Sequence, residues 1–202
     1  MKRFRIAGDV SVLPTVVFGA RGTLWWGTVA FMAIEGMTVA VSAASYLYVK
    51  KNFHDWPPPP TPLPGRLIPT ITVLVMVVSI LAMVGVNRAA KRLDKPAVTR
   101  GLIMMSLFGL ALVILRWFDF RALNTRWDSN AYGSTAWASV AFHSTLLLFE
   151  FIETSVFAAL AVFGPWEAKH FADTEDNAIY WIFMCVIWMP VYVLLYLSPR
   201  FL

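Results

Sequence analysis

The sequence predicts an all-α polytopic membrane protein in which five transmembrane helices form a bundle. Apolar residues make up 58% of the 202 residues and charged residues only 14%, whereas a soluble domain usually carries about 25% charged residues. The charges cluster between long apolar runs, each close to the roughly 20 residues that a helix needs to cross about 30 Å of hydrocarbon. None of these runs alternates polar and apolar residues as a transmembrane β-strand does.

The apolar runs define the predicted spans, which cover about residues 24–48, 68–86, 102–120, 132–163 and 178–197. In lipid, every backbone N–H and C=O group needs a partner within its own element, so each run is expected to be a helix. Polar connections separate the runs, and the last of them is the acidic segment from Pro165 to Asp176. Residues 23–202 are thus predicted to form one membrane domain, with no length left for a separate soluble domain.

A basic segment, residues 1–22, precedes the first span. Lys2, Arg3 and Arg5 are followed by a weakly apolar stretch that Pro14 interrupts, and no clear cleavage pattern comes after it. We therefore expect this segment to be retained and to lie at the membrane interface.

The distribution of Lys and Arg predicts the orientation of the bundle, because these residues collect in cytoplasmic connections. The N-terminal segment and the connection between the second and third spans share one side and are rich in cations: Lys2, Arg3, Arg5, Arg21, Arg88, Lys91, Arg92, Lys95 and Arg100. The other side has fewer cations: Lys50, Lys51, Arg66, Arg121 and Arg126. The sequence thus predicts a cytoplasmic N-terminus and an outer C-terminus. The cations of these connections also account for the net charge of +5, so this charge does not indicate nucleic acid as a partner.

The connection between the first two spans contains Trp56 followed by four consecutive prolines, with two more prolines before Gly65. Proline at this density cannot continue a helix and favours extended polyproline II. The segment is either a stiff strap between two helices, which is the interpretation we favour, or a binding motif for a partner.

Six ionisable residues lie within the predicted spans, and they are the first candidates for function because a charge inside a membrane is costly. They are Glu35, Arg116, Asp119, His143, Glu150 and Glu153. Glu35 lies near the middle of its span. It is either a protonated carboxylic acid bonded to a neighbouring helix, or a group that handles protons or contacts lipid.

Arg116 and Asp119 are three residues apart, so their side chains share a helix face and can pair. Because both lie near the outer end of the third span, we favour an interfacial ion pair. His143, Glu150 and Glu153 share one face of the fourth span. A histidine and two carboxylates can bind a metal, but a metal site in a bundle usually takes ligands from a second helix. The remaining histidines, at positions 54 and 170, lie in predicted loops, so we favour polar contacts with neighbouring helices.

The chain offers no catalytic or cofactor site of its own. A haem needs an axial ligand such as His, Met or Cys, and only one histidine lies within a predicted span, so a bis-histidine pair is lacking. Cys185 has no partners with the spacing of a metal site and is expected to be a buried packing thiol. Phosphate-binding and hydrolase motifs are also lacking. We therefore expect neither metal nor haem in this chain.

Short motifs in three of the spans occur in a characteristic order and spacing. The first span carries Trp26-Gly27 and Glu35, and the loop after it carries Trp56-Pro57-Pro58. The fourth span begins with Tyr132-Gly133-Ser134-Thr135 and continues with Phe142-His143. Glu175 precedes the fifth span, which carries Tyr180, Trp181, Phe183, Trp188, Tyr192 and Tyr196. This series resembles the haem–copper oxidase subunit III family over about residues 24–200, and Asp119 falls at a glutamate position of that family.

The resemblance implies a non-catalytic, subunit III-like component of a respiratory haem–copper terminal oxidase, in a five-helix form without the family's first two helices. It also implies a membrane hetero-oligomer with subunits I and II, which carry the haem and copper, in the bacterial cytoplasmic (inner) membrane. Phospholipid is the expected ligand, and the expected roles are to stabilise the core, bind lipid and support proton uptake. Because the first two helices are lacking, we expect other helices or ordered lipid to cover the Glu35 side of the first span.

The sequence departs from the family pattern at two histidine positions and one aspartate position, which Leu146, Ile182 and Cys185 occupy, and Glu150 and Glu153 are additional. These departures leave a second hypothesis open, a subunit III-like accessory protein of a nitric oxide reductase. A third hypothesis, from a different class, is an independent transporter or channel that uses the buried carboxylates. The sequence contains neither an inverted repeat nor a pair of broken helices, which argues against a typical secondary transporter.

Overall fold

The computed structural model describes residues 16–201, and these residues form helices and their connections without a β-strand. Residues 1–15, which hold most of the predicted interfacial segment, lie outside the described residues. The five long helices are α1 (Thr23–Lys50), α2 (Leu67–Lys91), α3 (Lys95–Ala122), α4 (Ala131–Phe163) and α5 (Lys169–Tyr192). Each is long and apolar enough to cross a membrane, which confirms the predicted fold class. The orientation of the bundle stays a prediction.

Two helices begin well before the predicted spans. α3 starts at Lys95, because the Asp94 side chain caps it by accepting a hydrogen bond from Ala97 N (3.1 Å) and Pro96 occupies its first turn. α5 starts at Lys169, so the loop prediction for His170 and the acidic segment up to residue 176 was wrong. These turns are helical but polar, and a hydropathy pattern therefore places them outside the span.

The helices differ in how much of their surface is packed. α3 packs between α2 and α4, α5 packs on α2 and α4, and α1 lies on α4 and α5. On α1 only Glu35, Val39 and Tyr46 are buried, and they form one narrow stripe along the helix. Ile34 and Met37 on its other side are exposed. An apolar outer surface of this kind fits the hydrocarbon of a bilayer.

The proline-rich connection lies against one end of the bundle. The Trp56 ring is buried and packs edge-on against the rings of Tyr46 and Tyr132, with ring centroids 5.3 Å apart in both pairs. A turn closed by a hydrogen bond from Thr61 N to Pro58 O (3.0 Å) interrupts the extended segment that the prolines predict. The connection therefore packs onto α1 and α4 of its own chain, as expected of a strap.

Candidate functional sites within the helix bundle

A central cluster of polar residues joins α2, α3, α4 and α5. Its core is the predicted ion pair, in which Arg116 Nη1 lies 3.2 Å from Asp119 Oδ2. The two side chains are 3% and 0% exposed, so the pair forms inside the bundle, on the face of α3 that points at the neighbouring helices, and its position at the membrane interface stays a prediction. The second oxygen, Asp119 Oδ1, accepts a hydrogen bond from Thr72 Oγ1 on α2 (3.0 Å).

His143 on α4 is part of the same cluster. Its Nδ1 lies 3.0 Å from Arg116 Nη2, and its Nε2 lies 2.9 Å from the carbonyl oxygen of Met184 on α5. A guanidinium only donates and a carbonyl only accepts, so this geometry requires a neutral imidazole with its proton on Nε2. The Arg116 guanidinium also lies over the Trp188 ring, 3.9 Å from its centroid. Both ring nitrogens of His143 are therefore occupied by protein groups.

The described residues contain no cluster of side chains that could form a metal site. Among residues 16–201, no group of three or more His, Cys, Asp or Glu side chains is arranged to hold a metal ion. The contacts of His143 and of Glu150 run instead to neighbouring helices, as the favoured interpretation of the sequence proposed.

Glu35 of α1 contacts α5. The hydroxyl of Tyr180 lies 2.8 Å from Glu35 Oε1 and 2.7 Å from Glu35 Oε2 and donates its proton to the carboxyl group. Phe31 stacks on the Tyr180 ring, with 6.0 Å between the centroids, and Glu35 is only 4% exposed. The expectation that Glu35 needs a cover from outside the chain was therefore wrong, because α5 of the same chain supplies it. The open side of α1 is its apolar side.

A cleft of about 140 Å³ lies between α1, α4 and α5, and we call it the acidic cleft. Its wall contains four carboxylates, Glu150, Glu153, Asp173 and Asp176, together with Tyr180, the partner of Glu35. A cleft lined by one sign of charge concentrates ions of the opposite sign. The arrangement can therefore attract protons or other cations toward the buried Tyr180.

Glu150 is the deepest of these carboxylates, with no exposed surface. Its Oε1 accepts a hydrogen bond from Asn177 Nδ2 (2.9 Å), and Asn177 also bonds Thr154 (3.1 Å). Its Oε2 has no hydrogen-bond partner among the described residues. One oxygen of this fully buried carboxyl group can thus carry a proton.

The α5 side of the acidic cleft was missed by the sequence reasoning. Asp173, Asp176 and Asn177 belong to turns that hydropathy assigns to a loop. A signal was present, since Asp173, Asp176 and Tyr180 are spaced by three and four residues, which places them on one face of a helix.

Glu175 and Trp181, two of the motif residues, tie helices together. Glu175 is buried; its Oε1 lies 2.8 Å from Lys91 Nζ at the end of α2, and its Oε2 accepts a hydrogen bond from Gly19 N (2.7 Å). Trp181 Nε1 donates to Ser79 Oγ on α2 (3.0 Å). Cys185, next to this contact, is a buried free thiol, as predicted.

The Tyr132-Gly133-Ser134-Thr135 motif builds the start of α4. Asn130 caps the helix by accepting a hydrogen bond from Gly133 N (2.8 Å), and Ser134 Oγ donates to Trp127 O (2.8 Å). A Cβ atom at Gly133 would lie 2.2 Å from the carbonyl oxygen of Arg126, so only glycine fits. The motif's second half continues in Phe142, which packs against the core.

The fold and these clusters define a polytopic helical membrane protein whose buried ionisable residues contact one another across helices. The sequence profile of one family, described as Cytochrome c oxidase subunit III, matches residues 23–199. The chain therefore belongs to the cytochrome c oxidase subunit III family and is an integral membrane component of an oxidase complex.

Proteins of known sequence agree with this assignment. A probable cytochrome c oxidase subunit 3 of Mycobacterium tuberculosis is 28% identical over 177 residues, which cover 84% of this chain and 85% of the relative. A cytochrome c oxidase subunit 3 of Thermostichus vulcanus is 23% identical over 181 residues, 87% of each chain. The corresponding protein of Xenopus laevis is 25% identical over 142 residues, 70% of this chain and 54% of the relative. The resemblance drawn from the motifs is thus confirmed.

Proposed function

We propose that this chain is a non-catalytic subunit of a respiratory haem–copper terminal oxidase in a bacterial cytoplasmic membrane. Subunits I and II would be its partners and would carry the haem and copper. The family assignment supports this proposal, and so do the relatives from Mycobacterium and Thermostichus. The contacts of His143 also support the proposal. Both of its ring nitrogens are bonded to protein groups, Arg116 and the Met184 carbonyl, which leaves neither nitrogen free to ligate a metal.

The first role that we propose is to stabilise the oxidase core. The central cluster links four helices of the bundle through buried contacts, and the Glu35–Tyr180 contact adds α1. Buried polar groups that are satisfied by one another fix the relative positions of helices. Such a bundle presents a defined surface to a partner. The exposed apolar side of α1 is where we place a helix of another subunit or ordered phospholipid.

The second role that we propose is to support proton uptake, and the acidic cleft is the observation that carries it. Glu153, Asp173 and Asp176 line the cleft, and the fully buried Glu150 lies in its wall with one oxygen to which no described residue donates a hydrogen bond. The predicted orientation places this end of α4 and α5 on the cytoplasmic side, where an oxidase takes up its protons. The cleft would then gather protons near the membrane surface and hold them close to Tyr180.

Purification of the tagged chain from its native membrane tests the proposed function. A subunit of an oxidase should copurify with haem-bearing partners, recognised by a reduced-minus-oxidised absorption spectrum and by mass spectrometry of the subunits. The purified complex should consume oxygen. Consumption of nitric oxide instead would favour the nitric oxide reductase hypothesis. A chain that purifies alone, without haem, would favour the independent transporter that the carboxylates of the acidic cleft suggest.

A further inference from the structure

A cavity larger than the acidic cleft lies at the opposite end of α4. It is open on the surface that α3 and α4 form together. It is a groove of about 880 Å³, within the range of roughly 300–1,000 Å³ that is typical of ligand sites. Its mouth is polar and is formed by Arg121, Asn124, Thr125, Arg126, Ser129 and Asn130. Its deeper wall is aromatic and consists of Trp117, Phe120 and Trp137.

The groove continues toward the middle of the bundle. A smaller cavity of about 200 Å³, which we call the inner cavity, shares Trp117 and Phe120 with the groove. Its other lining side chains are largely apolar and include Val113 and Leu148. From residue 121 to residue 113, α3 rises by about 12 Å. The two cavities therefore form one track along the seam between α3 and α4, polar at the helix ends and apolar below. This division matches the head group and acyl chain of a phospholipid.

The mouth of the track carries a cation that no described residue neutralises. Arg126 is paired with Asp128 through two hydrogen bonds of 3.0 and 2.9 Å. Arg121 forms no ion pair with any residue in the described range 16–201. Its guanidinium lies 5.5 Å from the centroid of the Trp117 ring, so the free charge sits directly above the aromatic wall. A phosphate group at this position would complement it.

A buried donor of a residue that lines the inner cavity lacks a partner among residues 16–201. Arg116 lines it and is 3% exposed. Its terminal nitrogens bond Asp119 and His143, but its Nε has no hydrogen-bond partner among the described residues. A buried N–H without a partner is costly, so a ligand acceptor is expected there. Arg116 lies about 7.5 Å below Arg121 along the helix axis. In a glycerophospholipid the ester carbonyls likewise lie below the phosphate, between the head group and the acyl chains.

We infer that this track binds one phospholipid with an anionic head group. Its phosphate contacts Arg121, an ester carbonyl accepts a hydrogen bond from Arg116 Nε, and one acyl chain packs on Trp117, Phe120 and Leu148. The inference extends the lipid binding of the proposed function to a second face of the bundle, separate from α1, and does not require the identity of the partner subunits.

The test is lipid retention by the intact complex in a mild detergent, measured by native mass spectrometry and by analysis of extracted lipids. Arg121→Gln should lose about one anionic phospholipid per complex, and Trp117→Ala should weaken retention. The matched controls lie outside the track: Lys51→Gln removes another exposed cation, and Trp127→Ala removes a tryptophan that is 62% exposed, as Trp117 is. Both controls should retain the lipid.

Labelling locates the site without a substitution. Phosphatidylglycerol with a photoactivatable acyl chain should label peptides that contain Val113 or Leu148. Phosphatidylcholine carrying the same chain should label them less, and inorganic phosphate should not displace the label. Equal labelling by the two lipids would overturn the anionic specificity. Crosslinks from Trp117 to a protein partner, or a track that holds only inorganic phosphate, would overturn the site itself.

The two proposals fail separately. If Arg121→Gln retains as much lipid as the wild type while the complex still contains its haem-bearing partners, the lipid site is wrong and the proposed function stands. If the chain purifies without such partners but loses lipid on Arg121→Gln, the lipid site stands and the proposed function is wrong.

Discussion

Replacement of Asp119 by leucine removes one partner of the ion pair in the central cluster and leaves the Arg116 charge buried. Because the two side chains are 0% and 3% exposed, water cannot replace the lost carboxylate. Breaking a buried pair in this way costs about 3–5 kcal/mol. Thr72 adds little to that cost, since its hydroxyl keeps a second acceptor, the Ile68 carbonyl oxygen at 3.1 Å.

The double variant Arg116→Met with Asp119→Leu should be less destabilised, by roughly 1–3 kcal/mol, because it removes both charges and its main remaining cost is the buried His143 Nδ1, which loses its donor. Asp128→Ala is the matched control. It breaks an exposed pair whose side chains are 76% and 40% exposed, and it should cost less than about 1 kcal/mol.

The free energy of unfolding can be measured by titrating the purified protein with a denaturing detergent and following tryptophan fluorescence. A double-mutant cycle then gives the coupling energy between the two residues. The reasoning would be refuted by an Asp119→Leu variant as stable as the Asp128→Ala control. A double variant as unstable as the single one would also refute it, because the loss would then come from packing.

Three further predictions follow from other contacts. Gly133→Ala should destabilise the protein by roughly 1–3 kcal/mol, because the new Cβ overlaps a backbone carbonyl. Gly27→Ala should not, because a Cβ there meets nothing within 4 Å. Equal melting temperatures of the two variants would contradict the steric argument. Glu35→Gln should assemble normally, because the amide oxygen can still accept a hydrogen bond from Tyr180. Glu35→Ala should weaken assembly, as judged by subunit stoichiometry. Loss of assembly in Glu35→Gln alone would show that the carboxyl group must be ionised. Glu150→Gln should slow proton uptake during oxygen reduction and leave the subunit composition unchanged, measured with a pH indicator in reconstituted vesicles, and an unchanged rate would remove the acidic cleft from proton uptake.

Local patterns in the sequence were sufficient for the spans and for contacts within one helix. Hydrocarbon forces an apolar run to satisfy its own backbone, so run length alone identifies the helices. The pair of Arg116 and Asp119 follows from a separation of three residues on one helix. Polar helical turns escape this logic, and α5 was therefore predicted to start about nine residues late.

Contacts between helices were decided only by the tertiary structure. Tyr180 meets Glu35 across 145 residues of chain, and Asn177 meets Glu150 across 27. Nothing in the local sequence names these partners, because helices that are apolar on every side do not encode how each is rotated about its axis. The sequence by itself thus determined the number of spans and the candidate charges. Which charges meet, and that Arg121 and Arg116 line neighbouring cavities, was decided by packing, which sets the rotation and order of the helices.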